Sequence, residues 1–190
     1  MWHAMEDAST TDSGRSDPGR PDEDPRRTTG AAHERGVRVE IADPHHHLTP
    51  EALAWLREHA ALAADDVSSR LRVAGEARVL VVDDDEMRRV HDERSGINTT
   101  TDVLTFDLAA DDDTLVDADV YVCSDEAARQ AGERSIPVER ELLLYTLHAM
   151  LHAVGFDDRD DAGFARMHAT EDEILDAIGV GATFEPGGAR

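Results

Sequence analysis

The sequence predicts an α+β fold, with one mixed β-sheet of about four strands packed with about five helices. Two observations predict it. Short runs of strand type begin near residues 37, 76, 101 and 117, and helical patterns lie between and after them. The second is one unusually apolar helical stretch, Leu142 to Val154, which carries two histidines and stops at Gly155. At 190 residues the chain is long enough for one domain with a substantial core.

Residues 1–35 are rich in Asp, Ser, Thr, Pro, Gly and Arg, with almost no apolar residue after Met5. Such a segment cannot bury enough surface to offset chain entropy, so it reads as a disordered tail. Order is expected over residues 36–178. Val37, Val39 and Ile41 alternate with Arg38 and Glu40, the pattern of a half-buried strand. Asp43 to His47 is a loop, and adjacent histidines in a loop rarely converge on one ion. Thr49 caps a helix that has Pro50 at its first position. Leu53, Leu56 and Ala60 form its apolar stripe, with His59 on the surface. Val79 to Val82 reads as a buried strand. The acids at 83–86 begin the next helix, where negative charge suits the dipole. It runs to about Glu93, and Ser95 to Asn98 is a turn.

Thr101 to Phe106 and Asp117 to Cys123 supply the remaining strands. Ser124 is expected to cap a helix through Glu133, and Pro137 to open the apolar helix. A last helix, from about Asp161 to Ile178, has an apolar face of Phe164, Met167, Ile174 and Leu175. His168 lies one residue from that stripe and reads as structural. Gly179 ends the helix, and residues 179–190 read as a short tail.

Net charge is −23, from 42 acids against 19 bases, and every base is arginine. This surface argues against broad, charge-driven nucleic-acid binding, though it leaves room for a local arginine patch. Cys123 is the only cysteine, so no intramolecular disulfide forms, which fits a reducing cytoplasm. No run approaches the ~18 apolar residues of a membrane helix, and no signal-peptide pattern is present.

The chemistry concentrates on the apolar helix. His148 and His152 are four apart, so both imidazoles point from one face toward one spot. Gly155 suits the left-handed position that ends a helix. The returning chain then offers a carboxylate, Asp157 or Asp158. Two imidazoles and one carboxylate leave a fourth position open on a tetrahedral ion, as in a catalytic zinc site. The same donors also describe the facial triad of non-haem iron enzymes. A metalloprotease helix has Glu directly after its first histidine as general base; here that position is Ala149.

The stretch from His148 to Asp158 resembles the signature of the YbeY family, His-Gly-x-Leu-His-Leu-x-Gly-Tyr-Asp-His. Ala149 stands for the glycine, Ala153 for the second leucine, Phe156 for the tyrosine and Asp158 for the third histidine. Thr100 to Asp107 resembles a second signature, Pro-Thr-Asp-Val-Leu-Ser-Phe-Pro. Ala118-Asp119-Val120 is similar to the family's Gly-Asp-Ile segment. The last helix is similar to its closing Met-x-x-x-Glu-x-x-Ile-Leu helix. The family has an arginine six residues before the signature threonine; Ser95 occupies that position here and Arg94 is one residue further.

The resemblance, over about residues 37–178, implies a metal-dependent endoribonuclease that cleaves single-stranded rRNA in ribosome maturation. It implies one zinc ion per chain on His148, His152 and Asp158, lowering the pKa of a bound water or polarising a phosphoryl oxygen. Arg94 is the residue expected to steady the phosphate, supported by Arg88 and Arg89. The implied partners are single-stranded rRNA and the small ribosomal subunit or its assembly proteins, in the cytoplasm, with no DNA and no membrane. Asp158 carries a chemical consequence. A carboxylate gives zinc more charge than imidazole does, which weakens the Lewis acid, and its shorter reach requires a closer backbone. Two other readings stay open. One is another zinc metallohydrolase with these ligands. The other is a non-enzymatic ribosome-assembly factor with the same fold, toward which Ala149, Asp158 and Ser95 point.

Overall fold

The computed structural model describes residues 36–109 and 114–183. The expectation of a disordered tail over residues 1–35 lies outside these, as does the tail beyond Thr183. Four strands form: β1 (Val37–Ala42), β2 (Ala74–Val82), β3 (Val103–Asp107) and β4 (Leu115–Cys123). Five helices accompany them: α1 (Pro50–Leu71), α2 (Asp84–Ser95), α3 (Ser124–Arg134), α4 (Val138–Ala153) and α5 (Asp161–Ala177). The sheet order is β1-β2-β4-β3. β1, β2 and β4 are parallel, with Val79 opposite both Ile41 and Val120, and β3 runs antiparallel to β4. The fold is therefore the mixed α+β arrangement that the sequence predicts.

Alternation along the strands sets which face is covered. Ala77, Val79 and Val81 of β2, with Val116, Ala118, Val120 and Val122 of β4, are buried in the main core. Arg78, Asp117 and Asp119 point to the opposite face, where Arg78 Nε donates to Asp119 (2.6 Å) and Nη2 to Asp117 (2.7 Å). The run Val79 to Val82 is thus not uniformly buried. Leu80 is half-buried and joins a separate cluster with Val82, Met87, Leu104, Tyr121 and Cys123. A continuous apolar run hides the period of 2, because Leu80 finds its own apolar partners on the second face.

α1 turns Ala60, Ala63, Ala64 and Val67 inward, a small-residue stripe that lets α4 approach closely. α4 also contacts α3, α5, β3 and β4. Leu142, Leu143, Leu144, Leu147, Met150 and Leu151 are all buried, so this helix is apolar nearly all round because it is enclosed nearly all round.

Side chains fix the helix starts. Thr49 accepts from Ala52 N–H, Asp83 from Glu86 N–H and Asp160 from Gly163 N–H. Ser124 departs from expectation. Cys123 takes the cap position without a side-chain cap bond, and the Ser124 hydroxyl donates to Val82 O (2.9 Å), tying α3 to the end of β2. After α5 the described chain stays attached. Thr183 N–H donates to Asp172, and Arg140 Nη2 donates to the carbonyls of Gly181 and Ala182.

Candidate metal centre and its cleft

The end of α4 builds the site. Phe156 N–H donates back to Leu151 O (3.0 Å), Gly155 N–H donates to His152 O (3.0 Å), and Gly155 adopts φ +85°. That left-handed residue reverses the chain, so residues 156–158 return beside the last helical turn. His152 Nδ1 lies 2.9 Å from Phe156 O. A carbonyl only accepts, so this nitrogen carries the proton and Nε2 presents its lone pair. His148 Nδ1 lies 2.7 Å from Glu171 Oε1, a carboxylate oxygen, which fixes the same tautomer.

Both Nε2 atoms then face one point, 2.9 Å apart. Asp158 lies 3.9 Å from His148 Nε2 through Oδ2 and 3.8 Å from His152 Nε2 through Oδ1. Among the described residues this is the one set of three His, Cys, Asp or Glu that converges so, all donor atoms within 4.8 Å. Two lone pairs and a carboxylate repel each other at such spacing unless a cation or a proton lies between them. Zinc–nitrogen bonds of about 2.0–2.1 Å would place tetrahedral donors roughly 3.3 Å apart, within the observed range of separations. The donor set therefore fits a divalent metal. His148, His152 and Asp158, the residues named from the sequence, come together.

Two neighbours explain why Asp158 rather than Asp157 faces the imidazoles. Arg159 binds Asp157 through Nε (2.8 Å) and Nη2 (2.6 Å) and holds its carboxyl down at about 2. Gly163, in the first turn of α5, lies so close to the loop that a Cβ there would stand 2.1 Å from Asp157 O. α5 thus buttresses the loop backbone directly beside Asp158.

The centre opens on a cleft of about 600 Å³. Thr100, Thr101 and Asp102 line it from the segment before β3, Arg134 and Glu141 from α3 and α4, and Phe164, His168 and Glu171 from α5. His148 and Asp158 line this cleft, while His152 and Asp158 line a shallower hollow with Gly155 and Arg159.

Two cleft acids escaped the sequence reading. Glu171 has no exposed side-chain surface and accepts from His148 Nδ1 and from His168 Nδ1 (2.6 Å). Glu141, 1% exposed, accepts from Arg134 Nη1 with both oxygens at 3.0 Å. The signal was available: each is an acid on an apolar helix face, Glu171 four residues after Met167, and buried charge demands a partner. Burial pushes the Glu141 carboxyl up, against the pull of Arg134. Burial works against a charged His148, but the Glu171 hydrogen bond and the charges of Glu171, Asp158 and Asp102 leave its pKa above the ordinary value.

Arg94 is placed elsewhere. Its guanidinium lies over the Phe106 ring, 5.1 Å from the centroid, and it does not line the cleft. Arg88 pairs with Asp85, and Arg89 with Glu86 and Glu93, along α2.

Fold and centre together define a small α+β domain with an open, two-imidazole, one-carboxylate donor set at the end of a helix. The family model described as Endoribonuclease YbeY matches residues 39–179. The chain belongs to the YbeY family. An endoribonuclease YbeY from Roseiflexus sp. (strain RS-1) is 32% identical over 156 residues, covering 77% of this chain and 95% of that protein. One from Paraburkholderia phymatum is 32% identical over 143 residues, covering 74% and 86%. The solution structure of TM1509 from Thermotoga maritima is 22% identical with a TM-score of 0.49, covering 80% of this chain and 99% of that one.

Proposed function

We propose that this chain is a metal-dependent endoribonuclease that cleaves single-stranded RNA in rRNA maturation, with one zinc ion held by His148, His152 and Asp158. The supporting observation is the convergence of three electron-rich donors, their tautomers fixed by Phe156 O and Glu171, at the side of an open cleft in a YbeY-family chain. Zinc held there would supply a Lewis acid and would lower the pKa of a water molecule.

The chain's own residues do the rest. Glu171 and the Phe156 carbonyl hold the two imidazoles in the ligating tautomer and orientation, as outer partners of metal-bound histidines do. Asp158 adds negative charge to the donor set, 3.8–3.9 Å from the two imidazole Nε2 atoms. Ala149 puts no general base beside His148, which disfavours peptide hydrolysis. The rRNA substrate and the ribosomal small subunit or its assembly proteins belong to this same reading, as does action in the cytoplasm.

A denaturing-gel assay on single-stranded and duplex rRNA fragments and on peptides tests it, with and without chelator and with His152→Ala. Slow cleavage confined to single strands, abolished by chelator and by His152→Ala, is expected. Cleavage that survives both treatments would remove the metal from the account. No cleavage even with pre-ribosomal particles added would favour a non-enzymatic assembly factor of the same fold.

A further inference from the structure

The cleft presents a phosphate-bearing ligand with mostly the wrong sign of charge. Asp102, Glu126 and Asp158 line it, and Glu141 and Glu171 lie in its walls. Among the described lining residues Arg134 is the only arginine. It is the last residue of α3. Its guanidinium is anchored on Glu141, whose side chain is 1% exposed, while its own side chain remains 37% exposed. A buried carboxylate thus holds a cation in place on the cleft side. Arg129, also on α3, is engaged differently, by Asp84 and Glu126, and does not line the cleft.

The helix sets the spacing. Glu141, Tyr145 and His148 all line the cleft from α4. Glu141 precedes His148 by seven residues, two turns, which is roughly 10 Å along the axis. A strand whose reacting phosphodiester sits at the His148–His152–Asp158 donors therefore meets Arg134 at a different phosphate.

We propose that Arg134, held by Glu141, is the phosphate-binding residue of the cleft and takes a backbone phosphate of single-stranded RNA next to the one at the donors. This rests on the RNA reading above. Arginine suits the task, since its planar fork of five N–H donors serves a carboxylate and a phosphate together. Anchoring by Glu141 lowers the ordering cost of binding. The surrounding acids make the contact decisive, because each one repels the backbone that Arg134 attracts.

The test is fluorescence anisotropy of the zinc-loaded full chain with a single-stranded 2′-O-methyl RNA oligonucleotide, measured across a salt series. Arg134→Gln should weaken binding several-fold and reduce the slope of log K against log salt by about 0.7, the loss of one single-strand phosphate contact. Zinc content should not change. Arg134→Gln leaves Glu141 buried and unpaired, so the double variant Arg134→Gln, Glu141→Gln guards against a folding defect. It should show the same loss of slope with an intact thermal transition. Arg134→Lys should keep the slope and bind more weakly than wild type. On cleavage, Arg134→Gln should raise KM more than it lowers kcat. Wild-type slopes in both Arg134→Gln and the double variant would reduce Arg134 to a structural partner of Glu141 and overturn the proposal. Failure of the wild-type chain to bind the oligonucleotide would overturn it together with the RNA reading.

Discussion

Glu171 is the residue that directs the His148 imidazole, as the Phe156 carbonyl directs that of His152. It receives N–H bonds from His148 and His168 with no side-chain exposure. An amide in its place keeps the shape and loses the charge, so neither imidazole is held as firmly. Glu171→Gln is expected to lower zinc affinity about 10–100-fold, the usual effect of removing such an outer partner. Competition titration against a chromophoric chelator measures this; unchanged affinity would mean that α4 packing alone orients His148. The donors themselves were legible, because the His148–His152 spacing and the Gly155 turn are local patterns of 3.6 periodicity and left-handed backbone. The burial of Glu171 was legible from its place on the apolar face of α5, but its partner was not, because the pairing with His148 spans 23 residues and depends on how α5 lies across α4. Arg134 went unread for the same reason: nothing local says that the end of α3 meets Glu141.

Elements carry the site through their contacts. The first turn of α5 rests on the loop holding Asp158, and Gly163 is what lets it rest there. Gly163→Ala forces its methyl against Asp157 O, so the loop or the helix must shift, at a cost of about 1–3 kcal/mol. Zinc affinity should fall along with the melting temperature, and a lowered melting temperature with full affinity would contradict the buttress role. Asp84 joins α2, α3 and the loop before β3. It accepts from Arg129 Nη1 and Nη2 (2.8 Å each), from Thr100 Oγ1 (3.0 Å) and from the Cys123 thiol (3.3 Å). The Arg129 hydrogen bonds hold its carboxyl well below the usual 3.8, whereas burial pushes the Cys123 thiol up to about 11 and leaves it unreactive. A depressed folded pKa gives stability that is complete above the unfolded value and is lost as pH falls below it. Asp84→Asn should therefore cost roughly 1 kcal/mol at neutral pH, with the gap narrowing below about pH 4. Urea unfolding near neutrality and near pH 3 checks this, and a pH-independent gap would contradict it. Strand and helix identities were readable from periodicity, but Leu80 and Ser124 were not, since each is governed by a neighbour across the fold rather than by its own segment.

At the scale of the whole molecule, the acidic composition and the acidic cleft agree: with a net charge of −23, affinity for RNA has few cationic contacts to draw on. Residues 1–35 offer almost no apolar side chain after Met5 to add to a core, so a chain beginning at Gly36 is expected to keep the melting temperature and metal content of the full chain. A large fall in either would assign that segment a packing role. The mixed sheet and the apolar α4 were legible because hydrophobic burial dominates both. The position of the cleft was not, because it emerges only when β3, α3 and α5 assemble around α4. The central claim is that one ion sits where His148, His152 and Asp158 converge. Elemental analysis of purified wild-type protein and of His148→Ala, His152→Ala, Asp158→Ala and Asp157→Ala tests it most directly. The account predicts about one zinc per chain in wild type and in Asp157→Ala, and loss of metal in the other three. Equal metal content in all five proteins, or loss in Asp157→Ala with retention in Asp158→Ala, would contradict it.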